Sequence, residues 1–113
     1  VAHLGIEEGA GSWQRTRGNL KYLLRSYMAD DSFDWLVYGQ DDLLIVVDNL
    51  VAYLASDAID HLHRSGAPLY LGRRFIYPGN VRAPPGLIFN SGGAGYLLNR
   101  KALQLLVAAL DTP

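Results

Sequence analysis

Two adjacent carboxylates, Asp41 and Asp42, follow the apolar run Trp35-Leu36-Val37-Tyr38 after only Gly39 and Gln40. If that run is a strand, the pair lies at its carboxyl end, where open α/β sheets bind ligands. Two such carboxylates can hold a hard divalent cation, which takes oxygen ligands. A cation there neutralises a nucleotide diphosphate and helps it leave. The plainer reading is a solvated turn, since Asp is common in turns. Gly92, Gly93 and Gly95 also have two readings. They let backbone approach a ligand closely, or they form a turn or bulge between strands. Neither G-x-x-x-x-G-K nor G-x-G-x-x-G occurs in the chain. Arg73 and Arg74 follow a strand-like run and can clamp a phosphate or a sugar hydroxyl. Successive strand residues point to opposite faces, so at most one of them faces a given site. His61 and His63 resemble a metal pair, yet on a helix two positions apart they diverge by about 200°. Trp13 and Trp35 fit core positions better than a stacking platform.

The elements that must position these residues follow from periodicity. Trp13, Leu20, Leu23, Leu24 and Tyr27 share one helical face, with Ser12 as the N-cap and Asp30-Asp31-Ser32 as the break. The run 35–38 is short and nearly all apolar, as a strand buried on both faces is. Leu43 to Val46 make a brief apolar connection. Val47, Leu50, Val51, Leu54, Ala58 and Leu62 keep the period of one helix over 47–64, and Gly66 and Pro68 stop it. Leu69 to Phe75 reads as extended. The loop 77–86 holds three prolines and two glycines. Leu87-Ile88-Phe89 resumes a strand, the glycine segment 90–95 follows, and a last helix starts at Asn99 as its N-cap. Leu103, Leu106, Val107 and Leu110 form the buried face of that helix. This order predicts an α/β fold with a mainly parallel sheet covered by helices.

Composition narrows the function classes. The 113 residues are half hydrophobic and carry ten basic and eleven acidic side chains, for a net charge of -1. That is a globular balance without a basic nucleic-acid footprint. With no cysteine, disulfides, thiolate metal sites and cysteine nucleophiles are excluded. No apolar run approaches the roughly 20 residues of a membrane span.

Four segments taken together resemble the fringe-like glycosyltransferases, above all the core 1 β1,3-galactosyltransferase (glycoprotein-N-acetylgalactosamine 3-β-galactosyltransferase) group. They are Asp34 to Asp42, Ile45 to Leu50, Tyr70 to Phe75 and Ser91 to Leu98. That group reads D-W-F-x-x-x-D-D-D, V-x-x-E/D-N-L, F-G-R-R-F and S-G-G-A-G-Y-V-L-S in the same order. Trp13-Gln14-Arg15-Thr16 is similar to its W-x-K-T helix.

The resemblance implies a GT-A-type, Rossmann-like sheet flanked by helices. Residues 1–113 would be the central part of a single such domain, a fragment of the full unit. It implies inverting transfer of a sugar, galactose, from a UDP-sugar to a hydroxyl of a protein-linked glycan, in a β1,3 linkage. It implies Mn2+ as the divalent metal, with Asp42 and Asp41 as its ligands. Gln40, Asp41, Gly92, Gly93, Gly95 and Arg73 would bind the donor. It also implies a Golgi or ER lumenal type II membrane protein, anchored outside this stretch. The partners are the UDP-sugar donor and a glycoprotein or glycan acceptor, not nucleic acid. An inverting transfer needs a base to take the acceptor proton, and the family's base lies in a segment expected beyond Pro113. Gln40 departs from the family's first acid and brings no charge. That departure leaves open a catalytically inactive relative acting as a chaperone or carbohydrate-binding protein. An unrelated small α/β domain with chance motif matches is the other alternative.

Overall fold

The computed structural model describes residues 11–27, 32–81 and 84–110. The first helix, α1 (Ser12–Tyr27), begins one residue ahead of the expected start. The Gly11 carbonyl accepts from the Gln14 and Arg15 amides, so Gly11 occupies the cap position expected of Ser12. The expected break at Asp30-Asp31 and the lone His3 lie outside the described residues. Strand β1 (Trp35–Tyr38) follows, then α2 (Val47–Leu54) and α3 (Asp57–Arg64).

The single helix expected over 47–64 is therefore two. Ser56 takes an extended backbone, with φ -63° and ψ 145°, and its hydroxyl donates to the Tyr53 carbonyl at 2.7 Å. A serine that satisfies the backbone locally in this way competes with helical continuation. The stop at Gly66 is realised with φ +80°. Its amide bonds to the His63 carbonyl and that of Ala67 to the Leu62 carbonyl, the paired bonds of a Schellman close.

Strands β2 (Tyr70–Gly72), β3 (Arg74–Ile76), β4 (Ile88–Asn90) and β5 (Tyr96–Asn99) precede α4 (Arg100–Leu110). The extended run expected over 69–75 is divided at Arg73, because β2 and β3 join different sheets. The order in the first sheet is β1-β5-β2, and β3 pairs with β4 in the second. Every strand pair among the described residues is antiparallel, which corrects the mainly parallel sheet expected from the element order. The reason lies in the strand order. β1 and β2 run parallel to each other, linked by a helical crossover, but they are not neighbours. β5 enters between them and runs against both.

Register fixes the faces. Leu36 lies opposite Leu98, which lies opposite Tyr70; Tyr38 lies opposite Tyr96, which lies opposite Gly72. Side chains two apart share a face, so this face carries Leu36, Tyr38, Tyr96 and Leu98 to α1 and α4. Leu20, Leu98, Ala102 and Leu103 are buried there, with Leu24, Phe33, Leu106 and Val107 packed around them. Trp13, expected in the core, is 57% exposed. On the opposite face Trp35 meets His63 of α3, ring centroids 5.1 Å apart.

Asn99 joins these layers. It is 1% exposed. Its Oδ1 accepts from the Ala102 amide at 2.9 Å, the expected N-cap of α4, and from the Leu69 amide at 3.0 Å. Its Nδ2 donates to the Ala67 carbonyl at 2.8 Å and lies 3.4 Å from His63 Nδ1. Thus His63 has a structural place, and His61 is exposed.

Candidate active site

The carboxyl end of β1 opens into a tight turn in which the Leu43 amide bonds to the Gln40 carbonyl at 3.2 Å. The turn carries Gln40, Asp41 and Asp42, all exposed to solvent. Two glycines seat it. A Cβ on Gly39 would lie 2.5 Å from Leu43 Cδ2 and 3.3 Å from Gly95 Cα. Gly95, with φ +74°, is buried beneath the same leucine, and its amide bonds to the Gly92 carbonyl at 3.1 Å. The glycine segment is therefore both a turn and a close approach, and it presses the acidic turn against the start of β5. Leu43 alone of the apolar connection packs inward; Leu44 is 88% exposed.

One wall of the site comes from α1. Arg15, Thr16 and Asn19 line a cavity of about 770 Å³ together with Tyr38, Gly39, Gln40, Asp41, Gly92 and Tyr96. Asn19 Nδ2 donates to the Tyr38 hydroxyl at 3.1 Å, and that hydroxyl lies 3.4 Å from Thr16 Oγ1 as its donor. These bonds tie the helix to the strand that carries the acids. The rings of Tyr38 and Tyr96 stack at 5.5 Å, and Tyr70 meets Tyr96 edge-on at 5.4 Å. Burial, then the neighbouring Tyr38 and Tyr70 hydroxyls, push the Tyr96 phenol up to about 12. Tyr96 and Thr16 also border a smaller apolar cavity of about 350 Å³, with Trp13, Pro68 and Leu105.

The structure brings Gln40, Asp41 and Gly92 to one cavity, with Asp42 in the same turn and Gly95 beneath it. Gly93 is exposed beside them. Arg73 does not line this cavity; its guanidinium sits 5.5 Å from the Phe75 ring centroid. Arg74 points elsewhere, as alternation requires, and lines a separate cleft with Tyr53, Tyr70 and Asn90. Sequence reasoning missed Arg15, Thr16 and Asn19 as cavity residues. Their spacing puts them on one helical side; Arg15 and Thr16 entered only through the resemblance of residues 13–16 to the W-x-K-T helix, and Asn19 not at all.

The donor set bears on the implied cation. Among the described residues no three His, Cys, Asp or Glu side chains gather in one place. Two carboxylates and an amide oxygen on one exposed turn beside a polar cavity still fit a hard cation shared with phosphate oxygens, since such ions are commonly bound through one or two carboxylates plus substrate. Arg15, a guanidinium at the same cavity, suits a diphosphate.

Among known proteins, the chain is 27% identical over 113 residues to chondroitin sulfate synthase 3 of Homo sapiens, covering 95% of this chain and 12% of that protein. It is 31% identical over 114 residues to glycoprotein-N-acetylgalactosamine 3-beta-galactosyltransferase 1 of Xenopus laevis, covering 96% and 27% respectively. The chain thus spans a minor part of the length of these relatives. The likeness supports a glycosyltransferase family. No family profile and no solved structure matches the chain.

Proposed function

We propose that residues 1–113 are the central part of the catalytic domain of a fringe-like inverting glycosyltransferase. It moves a sugar, galactose, from a UDP-sugar to a hydroxyl of a protein-linked glycan, in a β1,3 linkage. The observation that carries this reading is the single cavity shared by Gln40, Asp41, Gly92 and Arg15 at the carboxyl end of β1. The names of the relatives support transfer of a glycosyl group.

In this reading Asp42 and Asp41 hold a divalent cation, manganese, which supplies charge neutralisation for the departing UDP. Gln40 offers its amide to a ribose hydroxyl without adding charge. Arg15 takes a phosphate oxygen from the opposite wall, and the Tyr38–Asn19–Thr16 bonds keep that wall in place. Gly92, lacking a Cβ, leaves room for the sugar. The reading assigns the protein to the Golgi or ER lumen, on an anchor outside residues 1–113. Among the described residues no helix is long and apolar enough to cross a membrane.

Calorimetry tests the reading. UDP binds only in the presence of manganese, and Asp42→Ala abolishes that binding. UDP binding indifferent to manganese and to Asp42→Ala sinks it. Gln40 favours one second reading, a relative that binds sugar or assists folding without turnover. Gln40→Asp then strengthens manganese binding while the parent chain still transfers no sugar.

A further inference from the structure

A second cleft, of about 430 Å³, lies beyond the glycine segment from the acidic turn. It is lined by Tyr53 of α2, Tyr70 and Gly72 of β2, Arg74 of β3, and Phe89 and Asn90 of β4. Its floor is built before any ligand arrives. The Tyr70 hydroxyl donates to the Asn90 carbonyl, and Asn90 Nδ2 donates back to the Tyr70 carbonyl, both at 3.3 Å. Phe89 is stacked on Phe75 at 6.0 Å, and Tyr70 is held edge-on by Tyr96. Gly72 eases the close approach of the strands. A Cβ there would meet Asn90 Cβ at 3.1 Å and the Gly95 carbonyl at 3.2 Å. Arg74 is exposed; its backbone joins the β3–β4 ladder, and its guanidinium has no hydrogen-bond or ion-pair partner among the described residues.

Two exposed tyrosine rings, one of them held in place, a fixed amide and a guanidinium without a partner among the described residues match the chemistry of an anionic sugar. The apolar face of a sugar ring packs on tyrosine, whose ring carries large contact area at low entropic cost. A guanidinium pairs with a carboxylate or sulfate in a fork that a neutral hydroxyl cannot match. Position adds to this. Tyr38 and Gly72 both lie opposite Tyr96, so the carboxyl ends of β1 and β2 are two strand spacings apart, about 10 Å. The acidic cavity and this cleft therefore flank one glycine segment, with Gly92 in the first and Asn90 in the second.

We propose that the cleft of Tyr53, Tyr70, Phe89, Asn90 and Arg74 is a subsite for an anionic sugar ring of the acceptor. Arg74 pairs with the negative group, and the exposed rings of Tyr53 and Tyr70 pack on the sugar. Taking that sugar as the acceptor rests on the transferase reading; the anion preference of the cleft does not.

Nuclear magnetic resonance titration of the full chain with three probes tests it: methyl β-D-glucuronide, glucose 6-sulfate and methyl β-D-glucoside. At least one anionic probe binds about tenfold or more tightly than the neutral one, and which of them does so assigns carboxylate or sulfate. Arg74→Gln erases that preference, and Tyr53→Ala weakens all probes; both side chains are exposed, so the fold tolerates the changes. Equal binding of the three probes, absence of binding, or a preference that survives Arg74→Gln overturns the proposal. Manganese-dependent UDP binding, measured on the same samples, is unchanged by Arg74→Gln. Loss of UDP binding with the anion preference intact sinks the transferase reading alone. Intact UDP binding without the preference sinks this subsite alone.

Discussion

Gly39→Ala and Gly95→Ala probe the contact that seats the acidic turn, and they should differ in a defined way. Both new methyl groups run into one atom, Leu43 Cδ2, at 2.5 Å from the Gly39 position and 2.7 Å from that of Gly95. Overpacking of this kind costs about 1–3 kcal/mol. Gly95 has φ +74° and Gly39 is not among the positive-φ glycines, so only Gly95→Ala adds a left-handed backbone cost of about 1–2 kcal/mol. The expected losses are about 1–3 kcal/mol for Gly39→Ala and about 2–5 kcal/mol for Gly95→Ala. Leu43→Ala removes the shared obstacle. Combined with Gly39→Ala it should cost about 1–2 kcal/mol less than the sum of the two single losses, the remaining 3.3 Å approach to Gly95 Cα being absorbed by small shifts. Combined with Gly95→Ala it should recover the packing loss and leave the backbone cost. Urea unfolding at constant m-value reads both cycles. Strict additivity in both, or Gly95→Ala no costlier than Gly39→Ala, refutes the packing described for this site.

Three further outcomes follow from the same geometry. Asn99→Ala orphans the buried Leu69 amide and Ala67 carbonyl and uncaps α4. At about 1 kcal/mol for the cap and 1–3 for the buried Leu69 amide, the half-buried Ala67 carbonyl adding less, urea unfolding should show a loss of about 2 kcal/mol or more. Tyr96, raised to about 12, keeps its proton in the folded chain after the unfolded chain has begun to lose it near 10. Stability from this group is therefore full below about 10 and is lost as pH rises toward 12; Tyr96→Phe abolishes that slope and removes a phenol titrating near 12 from an ultraviolet tyrosinate titration. Arg15→Gln should weaken UDP binding by about tenfold, the scale of one charge-assisted hydrogen bond, with manganese affinity in the absence of nucleotide unchanged.

Much of the element map was legible because it rests on local signals. Gly66 stops α3 through a positive φ that only glycine adopts cheaply, and Asn99 caps α4 through its own side chain. The sheet was misread because strand direction is not a local property. Alternating helices and strands suggested parallel neighbours, whereas β5 reaches between β1 and β2 from later in the chain. The break at Ser56 escaped because apolar periodicity runs through it unchanged, while the serine hydroxyl bonds to Tyr53 behind it. At the site, acids and glycines stood out by type. Arg15, Thr16 and Asn19 did not, since only the packing of α1 on Tyr38 turns a polar helical side into a cavity wall.

The late arrival of β5 also sets an order of events. Tyr96 must find Gly72 across 24 residues and Tyr38 across 58. Closing the longer loop costs about 0.8 kcal/mol more in chain entropy, so the β2–β5 pairing should form ahead of β1–β5. Until residues near 96 have been synthesised, β1 and β2 have no strand to join them, and a growing chain holds the acidic turn without its glycine floor. The cleft at β2 then closes before the cavity at β1, and folding of this segment is paced by long-range strand pairing and not by its helices.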